Sequence, residues 1–472
     1  MQRYMTIGRR TRAAAGLAAV ALVPLLGACS DVTDNLLEAT DPDLISPEAA
    51  DSPEGALALY NGALGRLRDI TGGDGGEGST WLFGGLLADE WSTSSTFVQN
   101  DETDQRSIQV NNSTVTGMFR DLARARTSAT EAIASMREWR EDETTRIAEM
   151  YFVRAFAEMQ MANDFCNGIP LSGLDENGAP VYSPPVPVAE VFEAAVADAD
   201  SGLALIAGDE DEDELVRNAL LITKARALVG LDRIDEAAAA VAGIPTSYSY
   251  DITYAVATGD LTLWSQPRSS RRYTIADSLE GRGHNLLVRN VVPFHSAQDP
   301  RVPSRYTISS RGDTTLSQDG SIPSRTTTLW DRSTPVAAVN GLDARLIEAE
   351  AELRASNIAG MIAILNDLRA NPPQLGEIEP TGLAPLAAPP TQEDAVSLYF
   401  REKAFWQFGR GHRLGDLRRL VRQYNRAPDQ VFPVGEHYRG GAYGPDMNLP
   451  VPQQEENNPE LGGQPACIDR NA

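Results

Sequence analysis

Three cysteines carry the most readable chemistry in this chain. Cys29 closes the run Leu26-Gly27-Ala28-Cys29, behind an apolar stretch at 13–28 and the basic residues Arg3, Arg9, Arg10 and Arg12. Basic, apolar and small-residue regions in that order form a secretory signal. Small residues ending in a Cys follow the pattern of a bacterial lipobox. They admit the peptide to the signal peptidase, and the thiol accepts the lipid. Lipidation at Cys29 is therefore expected, after removal of a lipoprotein signal peptide at 1–28; the plainer alternative is an ordinary secretory signal that contains a Cys. Cys166 and Cys467 remain. In an exported chain two thiols form a disulfide more readily than a metal site, so a Cys166–Cys467 bond is expected, with two unpaired buried thiols as the alternative.

Other reactive constellations are missing. No His-Glu-x-x-His occurs, and His284, His295, His412 and His437 are scattered. Gly409-Arg410-Gly411-His412 does not continue as a dinucleotide fingerprint, and no glycine loop leads into Gly-Lys-Ser/Thr. There is no Gly-x-Ser-x-Gly elbow. With 66 Asp+Glu, two carboxylates near each other say little about a glycosidase pair. No catalytic residue, metal ligand or cofactor site is assigned.

Aromatic side chains offer a binding chemistry instead. Sugars present apolar C–H faces, and aromatic rings present flat apolar faces rich in electrons. Trp264, Tyr273 and Trp330 lie in a stretch without helical periodicity, among Arg271, Arg272 and Asn285, which can bond hydroxyl groups. Trp81 follows a glycine-rich stretch and is assigned to the same ligand site. For each ring taken singly, packing is the competing explanation.

The elements that must position these rings are mostly helices. Apolar residues recur at helical spacing at 53–68, 81–91, 115–139, 143–163, 188–206, 214–230 and 234–242. Helix returns from Gly341, where Leu342, Leu346, Ala349 and Leu353 form a narrow seam. Ser356-Asn357 turns the chain into a second helix that Pro372-Pro373 stops, a tight helical hairpin. Thr391 to Asp394 reads as a capped helix start, and a last helix covers 414–426. Residues 93–112 are polar and read as loop. From 245 to 340 Tyr, Trp, Ser, Thr and Arg replace the helical pattern, which predicts loops with short strands. The fold class is mainly α: tetratricopeptide-like helical hairpins with a loop-rich insertion at about 245–340. The domain plan is a signal peptide at 1–28, an acidic tether at 29–47 and a single domain at 48–472.

Charge narrows the partners. The 472 residues hold 41 Lys+Arg against 66 Asp+Glu, a formal net charge of -25. Such a surface repels phosphate backbones and anionic lipid heads, which argues against nucleic acid. No apolar stretch outside the N-terminus is long enough to span a bilayer.

Several motifs in order resemble the SusD/RagB-like outer-membrane nutrient-binding lipoproteins. Ala344-Arg345-Leu346-Ile347-Glu348-Ala349-Glu350-Ala351 is similar to their Leu-Ile-x-Ala-Glu-Ala helix, and Leu365-Asn366-Asp367-Leu368-Arg369 to their Leu-Asn-x-Val/Ile-Arg. Arg401-Glu402-Lys403-Ala404-Phe405 resembles their Glu-Arg-x-x-Glu-Leu segment, with Ala404-Phe405 where Glu-Leu is usual. Gly411 to Arg419 matches Gly-x-Arg-x-x-Asp-Leu-x-Arg. Leu449-Pro450-Val451-Pro452, Glu455 and Asn458-Pro459 resemble the closing Pro-Ile-Pro…Glu…Asn-Pro, and Asn163 to Leu171 the Tyr-Gly-x-Ile-Pro element. The resemblance implies a SusD-like fold and a lipid-anchored outer-membrane protein, exposed at the cell surface. It implies a glycan or, less often, a peptide as ligand, and a TonB-dependent (SusC-like) transporter as partner. A periplasmic helical-repeat scaffold and a glycosidase are the rival classes. The motif residues themselves read as structural: Arg413 and Asp416 can pair at i, i+3, and Glu348 and Arg369 can join neighbouring helices.

Overall fold

A computed structural model describes residues 51–73, 79–175, 179–255, 257 and 259–472. The signal peptide, the tether and Cys29 lie outside the described residues. Helices dominate. α1 (Pro53–Asp69) starts where the Ser52 side chain accepts from Gly55 N and Pro53 presets the first turn. α2 (Thr80–Leu87) is buried on every side. Trp91–Thr93 forms β1, and Val98–Asp104 forms α3. α4 (Ser113–Trp139) is capped by Asn112, which accepts from Thr114 N and Val115 N. α5 (Thr144–Asp164) follows a short turn, and so runs antiparallel to α4.

Two two-stranded ribbons, formed by Ile169–Pro170 (β2) with Pro185–Val186 (β5) and Gly173–Leu174 (β3) with Pro180–Val181 (β4), lead to α6 (Val188–Leu203). α7 (Asp211–Gly230) and α8 (Ile234–Val241) complete the first half. After the insertion come α10 (Gly341–Arg354), α11 (Ile358–Ala370), α12 (Gln392–Trp406) and α13 (Arg413–Arg422). Packing runs down the chain: α1 on α4, α4 on α5, α5 on α6, α6 on α7, α7 on α8, α8 on α10, and α10 on α11 and α12. This succession of neighbouring hairpins is the tetratricopeptide-like array expected from the sequence.

Three local differences have physical causes. The helix expected at 81–91 ends at Leu87, because Trp91–Thr93 pairs with a strand of the insertion. Residues 93–112 include α3, whose polar sequence hides its helical period. The helix read from 214 begins at Asp211, so that Asp211 to Glu214 form the first turn of α7, where carboxylates meet the positive end of the helix dipole.

The insertion is closed at its base. Ser249–Ile252 (β6) pairs antiparallel with Val336–Asn340 (β12), placing Ser249 opposite Asn340 and Ile252 opposite Val336. The ribbon packs on α7. Between its two ends lie the short helix Thr262–Trp264 (α9) and the strands β7 (Tyr273–Ile275), β8 (Leu279–Glu280), β9 (Leu286–Leu287), β10 (Ser304–Tyr306) and β11 (Arg325–Thr327). β1 pairs with β7, which stitches the insertion to the segment after α2. Buried ion pairs supplement its small apolar core. Arg325 is fully buried, with one Nη2 donating to both oxygens of Glu280.

Ion pairs also overturn the pairings suggested by spacing. α13 is buried almost throughout, so its charges find tertiary partners. Arg413 grips Asp89 with two bonds of 2.6 and 2.8 Å. Asp416 accepts from Lys403 at 2.6 Å and lies 3.4 Å from Arg419, not against Arg413. Glu348 pairs with Arg345 on its own helix, while Arg369 reaches Glu402 on α12. In α10, Glu350 is buried against Arg419 and Tyr424. Burial raises its pKa, but the charges of Arg419 and Lys403 outweigh burial and hold it at about 2.

The expected disulfide is formed. Cys166, two residues past α5, bonds Cys467 with Cα atoms 5.7 Å apart. Cys166 N donates to Leu449 O, and Asn167 bridges Asp469. The irregular tail is thereby fastened to the helical array.

Candidate functional site

The neck of the insertion is also where a cleft opens. The β6–β12 ribbon forms one wall, and the turn after α11 (residues 373–377) forms another. The end of α12 supplies Phe405 and Trp406, and the turn after it supplies Phe408 and Arg410. Trp330, just before β12, completes the wall. The enclosed space is about 480 Å³. That is the size of a small-molecule site, and its mixture of aromatic wall and polar groups is usual for one.

Trp330 is held from several sides. Its ring stacks on Phe408 at 6.2 Å with 18° between planes. Phe408 in turn packs against Trp91 and Phe294 at 4.9 and 4.8 Å. Gly376 has φ +55°, and a Cβ there would lie 2.1 Å from Leu329 O. Only glycine permits that approach at low cost. Glu377 N donates to Leu329 O at 2.8 Å, which locks the turn beside the indole. Trp330 retains 6% exposure.

Polar groups line the rest. Ser247, Ser249, Asp251, Asn340, Gln374 and Glu377 supply hydroxyl, amide and carboxylate groups. Tyr248 donates its hydroxyl to Leu215 O, and burial with the nearby Asp251 charge pushes its pKa far up. The two guanidinium groups are already engaged. Arg301 pairs with Asp299 and Glu402, each at 2.7 Å, and lies 4.9 Å from the Trp406 ring centroid. Burial works against its charge, but those two carboxylates raise its pKa. Arg410 pairs with Asp343 at 3.1 Å. Trp406 Nε1 and Arg410 Nε are buried donors without a hydrogen-bond partner among the described residues. A ligand hydroxyl is the kind of acceptor that would satisfy them.

The four rings singled out by sequence do not meet. Trp330 lines the cleft. Trp81 is buried in α2 against Gly411, and Tyr273 is buried in β7 opposite Thr93. Both are packing residues with no ring face open to a ligand, which corrects their assignment. Trp264 is partly buried against the core and is not among the residues lining the cleft. Arg272 lies 4.6 Å from the ring centroid of Phe97, an exposed residue at 41%. Sequence reasoning passed over Tyr248, Phe405, Trp406, Asp251 and Glu377. Phe405 and Trp406 were concealed by a helical stripe that reads as core, and no spacing links residues near 248, 330, 376 and 406.

Among the described residues no group of three or more His, Cys, Asp or Glu is placed to hold a metal ion. No described helix is long and apolar enough to cross a membrane.

Comparison with protein-family models finds no match, and comparison with curated proteins finds none. Solved structures do match. Surface glycan-binding protein A from Bacteroides uniformis superposes with a TM-score of 0.61 at 16% identity, covering 88% of this chain and 99% of that one. A laminarin-binding SusD-like protein gives 0.59 at 16% identity, over 86% and 97% of the two chains. A SusD superfamily protein from Parabacteroides distasonis ATCC 8503 gives 0.59 at 14% identity, over 86% and 98%. At these identities the likeness is one of fold: the chain has the SusD-like fold, as its motifs led us to expect.

Proposed function

We propose that this SusD-like chain is a lipid-anchored outer-membrane protein that binds an oligosaccharide at the cell surface and passes it to a TonB-dependent (SusC-like) transporter. The observation that carries the reading is the cleft at the insertion neck. Trp330 offers an apolar ring, and hydroxyl, amide and carboxylate side chains surround it. That pairing suits a molecule with apolar C–H faces and many hydroxyl groups. Two proteins of the same fold, the surface glycan-binding protein and the laminarin-binding protein, support a glycan as the ligand class. The role is binding without catalysis, a reading supported by the glycan-binding and laminarin-binding proteins of the same fold.

The lipid and the transporter rest on other grounds. The lipobox ending at Cys29 supplies the anchor. A tethered binding protein needs a membrane-embedded partner to move its cargo inward. Two measurements test the reading. An array of oligosaccharides and peptides should return oligosaccharides; binding only to peptides would replace the ligand class. Purification from gently solubilised outer membrane should bring down a large β-barrel protein. Recovery alone, with no barrel in cross-linking, would favour a periplasmic helical-repeat scaffold.

A further inference from the structure

The charges around the cleft are unequal once their partners are counted. Arg301 and Arg410 contribute two positive charges to the lining. Both are spoken for: Arg301 by Asp299 and Glu402, and Arg410 by Asp343. Glu402 is shared with Arg369, so that group is balanced as well. Two lining carboxylates have no such partner. Asp251 is exposed and accepts from Ser249 Oγ at 2.5 Å. Glu377 is exposed and accepts from Thr334 Oγ1 at 2.5 Å. Neither is ion-paired among the described residues.

The two acids also sit close in the fold. Asp251 stands opposite Ala337 across the ribbon, and Glu377 is bonded to Thr334. Both therefore border one short stretch of chain, residues 334–337. A concave site lined by one sign of charge concentrates its field. An entering carboxylate or sulfate would meet two uncompensated negative charges and find no free cation among the lining residues. An ammonium group would meet two acceptors, with the Trp330 ring in the same wall.

We propose that the cleft is charge-selective: it takes uncharged or amine-bearing oligosaccharides and rejects acidic ones, with Asp251 and Glu377 as the residues that set this preference. The inference rests on the cleft being the ligand site, and the test separates the two claims. Glucosamine oligomers, N-acetylglucosamine oligomers and oligogalacturonate of matched length are titrated by calorimetry at low and high salt. Affinity should fall in that order, and the spread should shrink with salt. In a D251N/E377Q double variant the ratio of glucosamine to galacturonate affinity should narrow by roughly tenfold, whatever the change in affinity for the uncharged N-acetylglucosamine oligomers. Oligogalacturonate binding as tightly as glucosamine oligomers, or a ratio unmoved by the double variant, would overturn the proposal.

A second readout needs no ligand. Trp330 emission, isolated as the difference between the protein and W330F, is quenched with caesium and with iodide. Caesium should quench more efficiently, and the asymmetry should fall in D251N/E377Q. Saccharides that fail to bind while this asymmetry holds would count against the glycan reading and leave the charge selection standing. Equal quenching by the two ions would remove the charge selection itself.

Discussion

Gly409 faces the indole of Trp330 so closely that a Cβ on it would lie 2.6 Å from Trp330 Cη2, and its φ of +71° is one that L side chains rarely adopt. The same residue donates its backbone N–H to Glu90 Oε1 at 2.8 Å. One glycine thus joins the wall of the cleft to a buried carboxylate. Gly409→Ala adds backbone strain and pushes on the ring together. Stability should drop by about 1–3 kcal/mol in denaturant titration, and ligand affinity should fall with it. A variant as stable as the parent would mean that this contact does not constrain Trp330.

Glu90 gives a pH prediction. Burial raises its pKa, the Gly409 N–H opposes this, and the neighbouring Asp89 charge adds to it; the result is about 8. One of its oxygens has no hydrogen-bond partner. A folded-state pKa above the ordinary value of 4.5 means that the folded chain holds this proton where the unfolded chain has lost it. Its contribution is therefore fully present below pH 4.5 and is lost as pH rises through 8, with a slope of up to about 1.4 kcal/mol per pH unit. Glu90→Gln keeps the hydrogen bond without the ionisation. Denaturation measured from pH 5 to 9 should show the variant gaining on the parent as pH rises; parallel curves would refute the assignment.

Glu350 works in the opposite sense. Its folded pKa of about 2 lies below the ordinary value of 4.5, so its stabilisation is present above pH 4.5 and lost as pH falls toward 2. Glu350→Gln leaves Arg419 buried without its carboxylate. A loss of about 3–5 kcal/mol near neutral pH is expected, shrinking in acid, where the parent also loses the charge. A loss that does not depend on pH would point to packing instead.

The Cys166–Cys467 bond spans 301 residues. In the chain-entropy picture closing so long a loop stabilises by up to about 5 kcal/mol, although measured gains often fall short. The double variant C166A/C467A should lose about 2–5 kcal/mol in chemical denaturation, and proteolysis should cut the tail after Leu449 first. Unchanged stability with a protected tail would show that hydrogen bonds such as Asn448 to Arg470 suffice.

Lipidation is read from the Cys29 context alone. Cys29→Ala should move the protein from the membrane to the soluble fraction, and mass spectrometry of the parent should find acyl chains on Cys29. An unmodified Cys29 in the mature protein would sink the assignment.

The helical half of the fold was legible because its signals are local. Asn340 and Asp343 form a reciprocal capping box three residues apart, and Thr391 caps the helix that begins at Gln392. Such pairs announce a helix within one turn of chain. The cleft was not legible, because it is assembled by tertiary closure. Ser249 reaches Asn340 only through the ribbon, and Trp330 reaches Gly376 and Gly409 only once α11 and α12 have packed. Aromatic type alone could not separate Trp330 from Trp81, since a ring in the core and a ring in a cleft are the same residue in a sequence. Buried α13 misled the ion-pair reading for a related reason. Spacing allows Arg413 and Asp416 to pair with each other, yet each found a partner from another element, Asp89 and Lys403.

The central claim is that the ligand lies against Trp330. Calorimetric titration of Trp330→Ala, Trp264→Ala and Phe97→Ala with an oligosaccharide that binds the parent tests it most directly. Loss of the stacked ring should weaken Trp330→Ala by at least about tenfold, or about 1.4 kcal/mol, with folding intact by circular dichroism. Trp264→Ala and Phe97→Ala should remain near the parent affinity. Unchanged affinity in Trp330→Ala, with binding lost in Phe97→Ala or Trp264→Ala, would contradict the account and move the site away from the insertion neck.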